Sequence, residues 1–217
     1  TNVAFPVTII CTATALLLGI GSASNFNLKS GAGETKTACR IAGTGFTMLC
    51  VSGIVIAAVT LVFLEQLLHI FGVTESVLPY ARDYLGITAV GIPFLVLTTG
   101  GNHLIRADRS PAYSMTCMLL GAVTNTILDP LFIFGFGWGI QGAAWATVIG
   151  QVLSGIMVLL YFAKFRHMDL KLCMLRPDLR CLKAIASLGM ASCINQLAMA
   201  AVQVTMNNTL RFYGASS

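Results

Sequence analysis

The chain has 217 residues, 56% hydrophobic and 10% charged, with a formal net charge of +5 and a mean hydropathy of +0.83. An ordinary soluble domain carries about 25% charged residues, so this composition excludes a soluble enzyme, a nucleic-acid-binding domain behind the positive balance, and a disordered chain. Five runs, 1–28, 41–64, 84–105, 110–163 and 184–210, make up 155 residues and hold one charge, Asp129; the other 20 of 21 charges sit in the remaining 62 residues. The fold class that follows is all-α, a polytopic bundle of helices in a lipid bilayer.

A helix rises about 1.5 Å per residue and needs roughly 20 apolar residues to cross the hydrocarbon. The first span is expected near 3–22, with Pro6 inside it and Gly19, Gly21, Ala23 and Ser24 small enough to let helices approach closely. A loop 29–40 carrying Lys29, Lys36 and Arg40 leads to a second span at 41–64. The third, 84–105, contains Pro93 and Asn102 and ends at a loop 106–109 with Arg106 and Arg109. The long run 110–163 must be two spans, 111–134 and 142–163, because the glycines of Gly135–Gly142 free the backbone and Trp138 suits a membrane boundary. A loop 164–183 with Lys164, Arg166, Lys171, Arg176, Arg180 and Lys183 precedes the last span, 184–210. A β-barrel would show segments of about ten residues with alternating polarity, and these runs are continuous.

Lys and Arg divide 11 to 2 between alternate loops, since only Arg82 and Arg211 lie on the opposite side. By the positive-inside rule, loops 29–40, 106–109 and 164–183 are cytoplasmic and the chain is multi-pass in the cell (inner) membrane. The first span then runs inward and the tail after 210 lies outside. Thr1 already begins an apolar run, so an internal stretch of a longer protein is expected. The seven cysteines, Cys11, Cys39, Cys50, Cys117, Cys173, Cys181 and Cys193, are odd in number and show no metal-ligand spacing; they read as free thiols that pack as small apolar residues. No cofactor and no structural metal are expected.

Asp129 is the residue that points to chemistry. A carboxylate inside a span is costly unless it is protonated, paired or hydrated, which makes it a proton or cation site by default. Asn125 stands one helical turn earlier on the same face, where its amide oxygen could ligate a cation and its NH2 steady the carboxylate. Pro130 deprives the carbonyl of residue 126 of its usual donor and bends the helix. The plainer alternative is that Asp129, six residues before Gly135, reaches the outer interface and ends the helix. Thr147 by itself reads as a hydroxyl bonded back to its own helix. Asn102 wants a partner but lies close to Arg106, so an interfacial role is equally open. Gln196, Gln203 and Asn207 share a broad face of the last span, with Asn195 beside them, and a polar stripe faces protein or a water-filled cavity. His69 and His103 lie near span ends and receive no role. The nine methionines fill core or offer adaptable surface.

Longer segments carry a resemblance. Asn125-Thr-Ile-Leu-Asp129-Pro-Leu-Phe-Ile-Phe134, followed by Gly139-Ile-Gln-Gly142-Ala-Ala-Trp-Ala-Thr147-Val-Ile-Gly150-Gln151, resembles the fifth and sixth helices of the MATE family, the multidrug and toxic-compound extrusion transporters. Pro6 with Gly19-Ile-Gly21-Ser-Ala-Ser is similar to the second helix. Leu68-His-Ile-Phe-Gly72, Tyr80-Ala-Arg-Asp-Tyr84-Leu and Gly91-Ile-Pro93-Phe resemble the third and fourth. Ile105-Arg106-Ala-Asp108 with Pro111 resembles the turn into the fifth, and Leu188-Gly189, Asn207-Asn208-Thr-Leu and Tyr213-Gly214 the seventh, most like bacterial Mep-type exporters.

The resemblance implies helices two to seven of twelve: an amino-terminal lobe at 1–163, a cytoplasmic linker at 164–183 and the first helix of a second lobe at 184–217. It implies a proton- or sodium-coupled antiporter that expels small organic cations by alternating access, monomeric, with no nucleic-acid partner. Carried over by position, the ion site falls on Asn125, Asp129 and Thr147, with Asn102 as a fourth member, and sodium is the metal it would hold. A first-helix carboxylate of the family precedes Thr1, and Arg109 stands where many members have glycine. A flippase for lipid-linked saccharides, from the same superfamily, would need several basic residues in its spans, and none falls within the expected ones. A membrane-embedded enzyme would need a nucleophile and base, or a metal set, at membrane depth.

Overall fold

The computed structural model describes residues 5–70, 78–163 and 179–214, and every regular element among them is helical. In chain order they are α1 (Phe5–Gly31), α2 (Thr35–Val62), α3 (Leu64–Ile70), α4 (Leu78–Ala107), α5 (Pro111–Pro130) continued by a π-helical turn (Leu131–Gly135), α6 (Gly139–Ala163) and α7 (Leu179–Gly214). All but the short α3 are long and apolar enough to cross a membrane, giving the six expected spans. Helices are the natural answer for this sequence, because hydrocarbon offers the backbone no other hydrogen-bond partners.

The helices overrun the apolar runs. The expected loop 29–40 shrinks to residues 32–34, since α1 reaches Gly31 and α2 starts at Thr35. Gly33 turns the chain at φ +80°, and Lys29 Nζ pairs with Glu34 at 3.1 Å. The expected loop 106–109 is a tight turn after Ala107, in which Arg109 holds φ +58°, the left-handed region that favours glycine. The cause is common to both: charges begin where hydrocarbon ends, whereas a helix continues into the headgroup region because it still satisfies its own carbonyls. The short α3 was not expected. Residues 164–178 of the expected linker lie outside the described residues, and α7 begins at Leu179, inside that linker.

Packing centres on α4, which lies against α1, α2 and α6. Leu49, Leu85, Val96, Leu104, Ile105 and Val158 are fully buried there. Ile54, Val55, Val90, Met115, Leu119, Ile127 and Leu160 face outward, as lipid-facing side chains must. Small residues set the close crossings: a Cβ on Gly19 would lie 2.6 Å from the Cα of Gly100, and one on Gly53 would lie 2.9 Å from the Cα of Pro93, inside α4. Pro6 falls in the first described turn of α1, its side chain outside the described residues.

The α5–α6 pair is the closest antiparallel contact near the candidate site. Tyr113 Oη donates to the carbonyl of Met157 at 2.9 Å, and Ser154 Oγ to that of Cys117 at 2.8 Å. A Cβ on Gly121 would fall on Ser154 Oγ, one on Gly150 would lie 2.9 Å from the Gly121 carbonyl oxygen, and one on Gly142 would lie 3.0 Å from backbone atoms of Phe132. The rungs at 113, 117, 121 and 125 recur every fourth residue, so one face of α5 is held against α6 along its length. Gly150→Leu in the full-length protein should lower its melting temperature in detergent by about 5 °C or more, the cost of overpacking a tight contact. Gly86→Ala, whose Cβ would meet only Leu64 Cδ1 at 3.8 Å, should not lower it.

Candidate functional site

The π-helical turn begins at Leu131, directly after Pro130, whose missing N–H breaks the α-helical ladder one residue after Asp129. The Phe136 amide donates to Leu131 O and the Trp138 amide to Phe132 O, both at 3.1 Å, while Gly137 and Gly139 adopt φ +69° and +54° to reverse the chain into α6. Phe132, Phe136 and Trp138 cluster with ring centroids 5.4 to 5.9 Å apart. This turn fixes how far along α6 each residue stands from its opposite number on α5.

That register brings the expected residues together. Asn125 Nδ2 lies 3.4 Å from Asp129 Oδ1 and 3.4 Å from Thr147 Oγ1. The Thr147 hydroxyl donates to the carbonyl of Ala143 at 2.9 Å, which leaves its lone pairs for Asn125 or a bound ion. Asp129 is half-buried, and among the described residues its only hydrogen-bonded partner is Asn125. A carboxylate oxygen and a hydroxyl oxygen thus meet at the NH2 of one amide between two spans; turning that amide over would offer a cation its oxygen as well.

Asn125 and Thr147 also line a cavity of about 460 Å³ between α4, α5 and α6. Three helical faces form its wall: Leu95, Thr98, Thr99, Asn102, His103 and Arg106 from α4; Met118, Gly121, Ala122 and Asn125 from α5; Thr147, Gly150, Gln151 and Ser154 from α6. Asn102 shares the cavity but bonds elsewhere, its Oδ1 accepting from Ser114 Oγ at 3.0 Å. Ser114 Oγ in turn accepts from Arg106 Nε at 3.1 Å, and Arg106 Nη2 reaches Met118 Sδ at 3.2 Å. The cavity therefore has Asn125 and Thr147, beside the carboxylate, towards one end and a guanidinium at the other. Thr98 Oγ1 is buried without a partner among the described residues.

Arg106, expected in a loop, belongs to the last turn of α4 and to the cavity wall, so the expectation that no basic residue falls in a span does not hold. His103, given no role from sequence, lies one turn before it on the same wall. The spacing 95, 98, 99, 102, 103, 106 on one helical face was the available signal. Gln196 is half-buried on α7, which packs on α1 and α2, and is not among the cavity residues. The side chains of Gln203, Asn207 and His69 lie outside the described residues.

Residues 1–131 match the MatE family profile. The chain belongs to the MatE family. This MATE chain is 27% identical over 214 residues to the multidrug export protein MepA of Staphylococcus haemolyticus, covering 98% of the chain and 47% of that protein. It is 35% identical over 167 residues to a FAD transporter of Shewanella oneidensis, covering 72% of the chain and 36% of that protein. Among solved structures, a MATE crystallised with MaD3S superimposes with a TM-score of 0.88 at 26% identity, over 96% of this chain and 48% of that one. The chain spans about half the length of the relatives it matches. If this site acts as one unit in the full-length protein, Asn125→Leu and Thr147→Val should each lower transport about ten-fold, and the double variant no more than the worse single one; multiplicative losses would show two independent roles.

Proposed function

We propose that the full-length protein is a cation-coupled antiporter that exports organic compounds by alternating access, with Asp129, Asn125 and Thr147 as the coupling site of its amino-terminal lobe. The observation that carries this reading is the meeting of the one carboxylate in an expected span with Asn125 and Thr147 beside a cavity large enough for a drug-sized ligand. A proton or sodium ion bound there would neutralise Asp129. Because Asp129 stands at the Pro130 junction between α-helical and π-helical bonding, a change in its charge acts on a turn that already has two backbone bonding patterns. The energy is sufficient in principle: one charge moving through 100 mV is worth about 2.3 kcal/mol. Family membership and the likeness to MepA, named a multidrug export protein, support the export of drug-like compounds.

A second reading of the cargo has its own support. Arg106 offers a guanidinium to the cavity, and one relative is named a FAD transporter, so a planar anionic compound is the alternative substrate class. A lipid-linked saccharide flippase would present more than this single cation to its ligand.

The test is efflux of ethidium and of flavin adenine dinucleotide by the full-length protein under imposed proton and sodium gradients. Asp129→Asn should reduce gradient-driven efflux of the true substrate to the background of cells lacking the protein, at an unchanged amount in the membrane. Undiminished efflux would sink the coupling assignment. Arg106→Gln should impair the flavin and spare ethidium if the anionic reading is right, and leave the export of ethidium intact otherwise.

A further inference from the structure

The start of α7 meets α1 at close range. Three successive turns of α1 meet the first turns of α7 at backbone distance. Asn25 is 9% exposed, and its Nδ2 donates both to Gly21 O on its own helix and to Ala184 O on α7, each at 2.9 Å. A Cβ on Gly21 would fall on the carbonyl oxygen of Ile185 and lie 3.1 Å from the amide nitrogen of Gly189. A Cβ on Gly189 would fall on the carbonyl oxygen of Leu17 and lie 2.7 Å from its carbon. Ile185 is fully buried in this contact. Past Gly189 one face of α7 is exposed, at Met190, Ile194, Leu197, Met199 and Val202, while Ser192, Cys193, Gln196 and Ala200 stay half-buried.

We infer that Asn25, Gly21 and Gly189 form a seam that latches the start of α7 to the amino-terminal lobe at the basic end of the bundle and must part when a passage opens there. The inference rests on reading the chain as part of a two-lobe alternating-access transporter, in which α7 begins the second lobe. Two features make the contact a latch that can open. Residues 17, 21 and 25 repeat every fourth position against 184, 185 and 189, so α7 can leave as one rigid face without disturbing the packing of α1 on α4 through Gly19 and Gly100. The interhelical bond that Asn25 makes ends on a backbone carbonyl. It is strong while the seam is dry, and water replaces it once the helices separate. Asn25 therefore weights the closed arrangement, whereas an apolar residue of similar volume leaves the glycines to hold it alone.

The experiment uses the full-length protein with its cysteines replaced and Ile185→Cys introduced, labelled by a membrane-impermeant maleimide from the side of the basic loops. Adding Asn25→Leu should speed labelling about five-fold, the opening expected from one lost buried hydrogen bond, and Gly189→Leu should speed it further. Equal rates in all three proteins would overturn the inference. A companion measurement needs no destabilised variant: Asn25→Cys with Ala184→Cys, joined by a short cleavable bis-methanethiosulfonate, should stop transport until a reductant releases it. Failure to cross-link, or transport unaffected by the cross-link, would also overturn it. Labelling reads the seam itself, so it stands or falls separately from the ion assigned to Asp129.

Discussion

The close approach of α5 to α6 is the constraint on which the candidate site depends. Gly121 and Gly150 leave no room for a Cβ, Ser154 and Tyr113 spend their hydroxyls on backbone carbonyls of the facing helix, and Gly142 lies on the backbone of the π-helical turn. A membrane gives two helices no hydrophobic reason to associate, so contact has to come from small residues and interhelical hydrogen bonds. Both are spaced here at four-residue intervals, which fixes the register at which Asn125 faces Thr147. A larger side chain at Gly121 or Gly150 would move Thr147 away from Asn125, whose Nδ2 lies 3.4 Å from its hydroxyl. The same contact walls one side of the cavity, so the ion site and the space for a ligand share a structural cause.

Much of the fold was legible because the bilayer imposes a simple rule. Uncharged runs of twenty or more residues have to be helices that cross it, and the six expected are the six found. The ends were not legible, because the residues that mark the hydrocarbon boundary do not mark where a helix stops. That is why Lys29 and Arg106 lie inside helices. The Asn125–Asp129 pair could be read from spacing alone, being one turn apart on a single helix. Thr147 could not: it lies on another helix, its intrahelical bond to Ala143 was the plain expectation, and only the resemblance singled it out. His103 and Arg106 were overlooked because each is ordinary near a span end. Their shared helical face becomes meaningful only once α4, α5 and α6 are known to enclose a cavity.

The polar groups of a mainly apolar cavity are set out in order. Towards one end Asn125 and Thr147 line it beside a carboxylate with no cation paired to it among the described residues; at the other a guanidinium hydrogen-bonds to a serine and a methionine. Between them lie hydroxyls and amides, with Thr98 unpartnered. A transporter that bound its substrate through strong fixed pairs would release it slowly, and adaptable Met118 with weak polar contacts suits a cavity that must fill and empty. In the proposed cycle the charge that changes is that of Asp129, beside the π-helical turn where α-helical bonding is interrupted.

The proposed antiport requires an exchange in which the ion held at Asp129 leaves as substrate binds. It is tested most directly by adding ethidium to the purified full-length protein in weakly buffered detergent while following proton release with an indicator and free sodium with an electrode. The account predicts stoichiometric release of a proton or a sodium ion on binding, absent in Asp129→Asn. Ethidium binding with neither ion released from the wild-type protein would contradict it.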